Sequence, residues 1–333
     1  PVYAPEWTDH NASVPGVTLI ELFAFLGENL LYRFNQIPES VRLEFMRLLQ
    51  IPLRPAAAAR ALVTMSADRL VPDAAGQLTA PLVPAGATLQ TGNLPFETET
   101  EVSVWPLSVL AVARVRSAEP DALKEPEVYE FAVRALDALN PMPAGHTPVF
   151  YENKTVDLNG PPVDFGTTVD GRLWIAVLLR EPPANIAGEK KKVAGALLNV
   201  GIVPAPVFDD MGQVPPCPGA GSAPNTRAVE WRVSKGGPLH ATAPVYISLI
   251  PEGDTTAGLS QDGVVRLRLP KNPDDFGAFE VDDPDKLGTG DLPPALDEET
   301  EQKVLCWLCA FCSDGSSFGK LAFVGANAAE VSQ

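Results

Sequence analysis

The chain has 333 residues, 45% of them hydrophobic, with 42 acidic side chains against 25 basic ones and a formal net charge of −17. That length and apolar content exclude a disordered chain and leave room for two or three domains, each with its own core. The basic residues are scattered apart from Lys190, Lys191 and Lys192, so the clustered positive field that a phosphate backbone requires is missing and nucleic acid is not an expected partner.

Residues 15–52 are far too apolar for an ordinary surface helix and too charged for a membrane span. At helical spacing Val17, Leu19, Ile20, Leu22, Phe23, Ala24, Leu26, Leu30, Leu31 and Phe34 wrap well over half of the circumference. They leave a narrow polar stripe of Thr18, Glu21, Glu28, Asn29 and Gln36. A helix lying on one core keeps about half of its face polar, so this one needs cover on two sides. Pro15 suits a first helical turn, and Pro38 closes this helix and opens a second. In the second, Val41, Phe45, Leu48 and Leu49 form an apolar face, Arg42, Glu44, Arg47 and Gln50 stay in water, and Pro52 is the expected stop. The unit reads as a helical hairpin. Its longest uninterrupted apolar run, LFAFL at 22–26, is far short of the roughly 18 to 20 residues a bilayer demands, so no membrane insertion is expected.

The AAAARAL segment after Pro55 is ambiguous. From Leu62 the pattern turns to short β-prone runs, ALVTM, ATLQT and VSVWPLSVLAVARVRS, punctuated by DAAG, VPAG and TGNLP. With 34 Pro and 26 Gly, long helices are excluded from most of the chain. Pro120 and the acidic stretch after it mark a boundary near residue 119. EVYEFAVRALDAL at 127–139 reads as either a short helix or a buried strand. RLWIAVLLR at 172–180 is a strand buried on both faces, closed by Pro182 and Pro183. KKVAGALLNVGIV at 191–203 reads similarly. VEWRVSK at 229–235 alternates as a half-buried strand. PVYISLI and VVRLRLP are expected to pair around a loop, and VPPCPGAGSAPN at 214–225 is a long loop. No fixed repeat appears. The expected fold class is α+β, an N-terminal helical hairpin followed by mainly antiparallel β-sandwich-like modules. The expected divisions are 1–55, 56–118 and 119–333.

Enzymatic chemistry finds little footing. Cys306, Cys309 and Cys312 have metal-ligand spacing, but on a β-prone run residues three apart face opposite ways, so the reading is reduced thiols packed as small hydrophobes. His10, His146 and His240 are far apart in sequence. GSSFG at 315–319 has its serines misplaced for a nucleophile elbow, and GEKKK at 188–192 lacks a phosphate-loop glycine framework. The acidic clusters at 272–277 and 282–291 fit solvated turns better than calcium loops, and Asp254 in GDTTAG is expected to brace a turn with its side chain. No metal, cofactor or catalytic residue is expected. Four cysteines do not make a secreted disulfide scaffold, and Pro1 opens the sequence with no initiator Met and no signal pattern, so cytoplasmic synthesis and assembly is the expectation.

The string PEWTDHNASVPGVTLIELFAFLGENLLYRFNQIPE, followed by a second apolar helix and IPLRPA, resembles the amino-terminal signature of the baseplate J-like family, the wedge proteins of phage tails and contractile injection systems. VPAGATLQT at 83–91 with PFETET at 95–100 resembles the family's first strand region. DTTAGLSQDGVVRLRLP at 254–270 resembles its recurring strand-turn-strand, and LPPAL at 292–296 with VGANAAEVSQ at 324–333 a later one. Together these cover about half of the chain. One departure is Val14, where the family usually carries Asp; Ser13 or Asn11 is left to cap the helix.

The resemblance implies a structural subunit whose helices join those of a second wedge subunit in a bundle near the central hub, several wedges closing a ring of copies around the spike, within reach of sheath-proximal baseplate proteins. It also implies further chain before Pro1 and after Gln333. The hub-facing candidates are Leu22, Phe23, Leu26, Leu30, Phe34, Phe45 and Leu49. Two other classes stand beside it: a carbohydrate-binding or adhesive β-sandwich, which leaves the hairpin unexplained, and a hydrolase using scattered carboxylates such as Asp254 and Asp275.

Overall fold

The computed structural model describes residues 15–35, 39–51, 58–73, 76, 78–117, 130, 149–205, 227–238, 243–281 and 287–333. The segment at 127–139 apart from Glu130, the loop at 214–225, the three histidines and residues 282–286 lie outside them. The chain divides into two compact units, Pro1–Ala57 and Ala58–Gln333. The fold is β-rich α+β, with mostly antiparallel sheets.

The first unit holds helix α1, Pro15–Asn35, and helix α2, Glu39–Leu48. Pro15 takes the first helical position, where its missing N–H has no partner to lose, and Arg33 in the last turn of α1 complements the negative end of the helix dipole. Ser13 and Asn11, the candidate caps, lie outside the described residues, as does the connection at 36–38. α2 is stopped before Pro52. Gln50 turns left-handed at φ 56°. The Gln50 amide donates to the Arg47 carbonyl at 3.0 Å and the Ile51 amide to the Met46 carbonyl at 2.9 Å. This is the paired closure that satisfies orphan carbonyls at helix ends.

Among the described residues the second unit is built on three sheets of four to six strands, with three two-stranded sheets beside them. We number their strands β1 Arg60–Thr64, β2 Thr88–Thr91, β3 Leu94–Thr98, β4 Leu107–Arg116, β5 Tyr151–Thr155, β6 Val163–Asp164, β7 Arg172–Leu179, β8 Leu197–Pro204, β9 Val229–Ser234, β10 Tyr246–Leu249, β11 Gly253–Asp254, β12 Gly263–Arg268, β13 Val304–Cys312, β14 Lys320–Ala326 and β15 Ala328–Ser332. The four-stranded sheet runs β1-β15-β3-β2, the five-stranded β6-β14-β8-β12-β11, and the six-stranded β10-β9-β13-β7-β4-β5. The five- and six-stranded sheets share one core. Leu198, Val200, Ile202, Val265 and Leu267 come from the first, and Leu173, Ile175, Val177, Val233 and Leu308 from the second.

The expected strand at 172–180 is β7, central in its sheet. Leu173, Ile175 and Val177 enter the inter-sheet core while Trp174 and Ala176 join a separate cluster on the opposite face. β13 behaves the same way after an irregularity where the pairing with β7 skips Leu305. Cys306, Leu308, Ala310 and Cys312 then face the shared core, and Trp307 and Cys309 the other side.

The outer face of the five-stranded sheet is made smooth by two paired glycines. A Cβ on Gly201 would lie 2.5 Å from Ala328 Cβ and 2.9 Å from Leu62 Cδ2; one on Gly325 would lie 2.7 Å from Thr64 Cγ2. β1 and β15 therefore press directly on this seam, giving three sheet layers. The corner from β14 into β15 is Asn327, left-handed at φ 52°. Its side chain accepts from the Trp105 amide at 2.9 Å and donates to the Trp105 and Met65 carbonyls at 2.8 and 3.2 Å.

Two expectations need correction. Residues 191–203 are not one strand: helix α3, Ile186–Val193, is capped by the Asn185 side chain on the Gly188 amide at 3.1 Å and ended by Gly195 at φ 76°, and only then does β8 begin. PVYISLI and VVRLRLP do not pair with each other. β10 joins β9, while β12 lies between β8 and β11 in another sheet. The local hairpin is β11–β12, and its turn out-competes the longer connection. The Asp254 carboxylate accepts from the Thr256 amide and hydroxyl at 2.7 and 2.6 Å, bracing the turn as its sequence led one to expect. Ala257, Gly258 and Leu259 then reverse the chain, all left-handed.

Candidate interaction surface

An α-helix closes its own backbone hydrogen bonds, so α1 needs no neighbouring strand to satisfy its backbone. Leu22, Phe23, Leu26, Leu30, Phe45 and Leu49 are between 55 and 79% exposed. Phe34 lies on α1, but its side chain is outside the described residues. The exposed apolar set is wider than the hub-facing candidates. Leu19, Ile20, Phe25, Leu31, Tyr32 and Leu48 are also more than half exposed, so apolar groups line more than one side of α1. Phe25 is the clearest addition, and its signal was its place inside the LFAFL run.

Fully covering a side chain of this kind is worth roughly 1.5 to 3 kcal/mol. Even discounted for partial exposure, the six described candidates hold a gross hydrophobic gain on the order of 10 kcal/mol, comparable with the 4 to 15 kcal/mol that association consumes in lost freedom. Exposed apolar surface of this kind is a candidate interaction site. Two local polar contacts lie on the helices: Arg47 pairs with Glu44 at 2.8 Å, and the Asn29 amide donates to the Phe25 carbonyl at 3.2 Å.

The second unit carries a polar constellation that local pattern did not reveal. Arg114 on β4 is 3% exposed, its guanidinium stacked 5.3 Å from the Tyr151 ring and 5.2 Å from the Trp174 ring. It donates to the carbonyls of Gly290 and Leu292 and lies 3.7 Å from Asp170, which also accepts from Trp174 Nε1 at 2.8 Å. The segment around 288–295 is thereby strapped to the six-stranded sheet. Tyr151 donates to the Gly288 carbonyl and Tyr246 to the Asp291 carbonyl, each at 2.6 Å; Asn153 donates to Ala295, and Arg172 pairs with the Asp291 carboxylate at 2.6 Å. Burial pushes the phenols of Tyr151 and Tyr246 up, keeping both as donors. The available signal was an arginine inside the apolar run VLAVARVR.

Cys306 and Cys312 face the shared core and Cys309 the opposite cluster, so the three sulfurs diverge as alternation on a strand requires. In the 272–277 cluster the Asn272 side chain accepts from the Asp274 amide at 3.2 Å, and Asp275 lies 3.9 Å from Lys235, an ordinary braced turn. Among the described residues no three metal-ligating side chains converge, and no helix is long and apolar enough to cross a membrane. No known family model and no curated protein sequence matches the chain.

Proposed function

We propose that this chain is a structural wedge subunit of the baseplate of a phage-tail-like contractile injection particle, acting through interfaces and not through catalysis. In this reading α1 and α2 fold as a hairpin that packs with equivalent helices of a second wedge subunit. Several such wedges close a ring of copies around the hub and spike, and the sheet layers span outward to neighbours that respond to sheath contraction. Synthesis and assembly take place in the cytoplasm.

The observation that carries the proposal is the exposure of Leu22, Phe23, Leu26, Leu30 and Phe45 on two formed helices, and of Leu49 in the turn that closes α2. The resemblance of residues 5–39 to the baseplate J-like signature supplies the kind of partner. A stable contact between wedges buries on the order of 1,600 Å² or more. The test is the double substitution Phe23→Asp with Leu30→Asp. It should leave the sheet unit folded by circular dichroism and abolish co-purification with the second wedge subunit. Retained co-assembly would remove the helices from the interface.

A further inference from the structure

The most exposed large apolar side chain among the described residues is not on the helices. It is Ile250, 86% exposed, just past the end of β10. β10 is an edge strand of the six-stranded sheet, paired among the described residues with β9 alone. Val245 before it is more than half exposed and Ser248 within it is exposed, so this edge faces solvent.

The register decides which backbone groups point outward. The Lys235 amide donates to the Val245 carbonyl at 2.9 Å, one step beyond the opposed pair Ser234 and Tyr246. Antiparallel ladders alternate, so Ile247 and Leu249 turn their N–H and C=O groups toward β9, while Tyr246, Ser248 and Ile250 turn theirs away from the sheet. Side chains alternate as well. Ile247 and Leu249 pack into the shared core, and Tyr246 lies on the other face against Trp174.

Native sheets blunt such edges with charge. β1, β5, β6 and β11 are also edges, and they carry Arg60, Glu152 with Lys154, Asp164 and Asp254. β2, the remaining uncharged edge, is polar at every position but Leu89. From Ala243 to Pro251 there is no charge and the residues are mostly apolar. In a chain of net charge −17, this is a stretch where two copies meet without setting like charges against each other. It is also self-complementary. Pair two β10 strands antiparallel about a two-fold axis at Ser248, and Tyr246 of one copy lies opposite Ile250 of the other, an aromatic with a β-branched residue, which is a favourable cross-strand pair. Ile247 then lies opposite Leu249, and the outward groups of Tyr246, Ser248 and Ile250 all find partners.

We infer that β10 is a self-association edge, through which a second copy of this chain joins its six-stranded sheet to the first, each Ile250 covered by Tyr246 of the other copy. One strand per copy falls at the small end of interface sizes, below about 1,200 Å², so the pairing is weak in free solution and is reinforced wherever other contacts already hold copies together. The inference does not depend on the helices.

The test uses the full chain carrying Phe23→Asp, Leu30→Asp and Cys217→Ser, which takes the helical surface and that thiol out of the readout. Sedimentation equilibrium should show a monomer and dimer in exchange with a Kd between about 10 μM and about 1 mM. Ile250→Lys, at a position that carries no packing in the monomer, should weaken the dimer by roughly tenfold or more, and so should Ser248→Pro, which removes only an outward N–H. Ser248→Cys sits on the two-fold axis, where paired Cα atoms lie about 5.5 Å apart and within disulfide reach. Mild oxidation should therefore cross-link it roughly tenfold faster than Val149→Cys, a half-exposed position beside the opposite edge strand β5. A monomer up to about 1 mM, a dimer untouched by Ile250→Lys, or cross-linking of Ser248→Cys no faster than that of Val149→Cys would overturn the proposal.

Discussion

LFAFL at 22–26 in α1 and VLCWLCAFC at 304–312 in β13 are nearly the same material in opposite settings. Leu22, Phe23, Phe25 and Leu26 are each more than half exposed, whereas eight of the nine residues of β13 are buried. The difference follows from how each element completes its backbone. A strand has no hydrogen bonds of its own, so β13 exists only between β7 and β9, and the sheet that satisfies it also brings the side chains that cover it. A helix is complete in itself and carries its apolar surface to whatever meets it. Most helical stability in proteins comes from packing and not from propensity, so α1 gains most of its stability when that surface is covered.

The largest expected effect separates the two regions by stability. Trp174 is fully buried between Trp307, Tyr246 and the guanidinium of Arg114, and Trp174→Ala should cost about 3 to 5 kcal/mol, read as a large drop in the urea midpoint of the sheet unit. Phe23→Asp, which removes a large aromatic ring from α1, should leave that midpoint unchanged. Equal losses would mean that the helical surface already has its cover inside the monomer.

What the sequence disclosed follows the same division. β7 was legible because a strand buried on both faces has no polar alternation to mislead. The Asp254 turn was legible because its hydrogen bonds lie within two residues. The apolar excess of α1 was legible by counting around a helix, and the candidate residues on it are exposed, apart from Phe34, whose side chain lies outside the described residues. Hidden from local pattern was everything decided by distant partners. β10 and β12 each looked like half of a hairpin, yet their neighbours were chosen by sheet register. Arg114 reaches a strap 176 residues onward, and no spacing rule links them. α3 was missed for a different reason: its cap and its terminal glycine were present, but the apolar run beyond them dominated the reading. Gly201 and Gly325 were ordinary strand glycines until the seam against β1 gave them a function.

Those glycines set up a matched, smaller test. Gly27 in α1 has open space where a Cβ would go, while the same addition at Gly201 meets Ala328 and Leu62. Gly27→Ala should strengthen the helix by about 1 kcal/mol, seen as unchanged or higher helicity by circular dichroism. Gly201→Ala should cost about 1 to 3 kcal/mol through overpacking and lower the thermal midpoint of the sheet unit. Opposite signs from one added methyl would locate the close-packed part of the molecule without reference to hydrophobicity.

The smallest effect at neutral pH belongs to the thiols of β13. Burial pushes Cys306 and Cys309 from an ordinary value near 9 up to about 12. In the native protein they stay protonated, and the thiolate is the reactive form, so iodoacetamide at pH 8 should label neither. A Cys217→Ser background keeps that residue out of the readout. Because the folded-state values are raised, the unfolded chain loses these protons first. Their stabilising contribution is complete below about pH 9 and declines as pH rises toward 12. The thermal midpoint of the sheet unit should fall across that window, and labelling should appear with unfolding and not before it. Labelling of Cys309 at pH 8 with the midpoint intact would show that its face of the six-stranded sheet opens locally, and the contrast between covered strand and uncovered helix would then hold for the inter-sheet core alone.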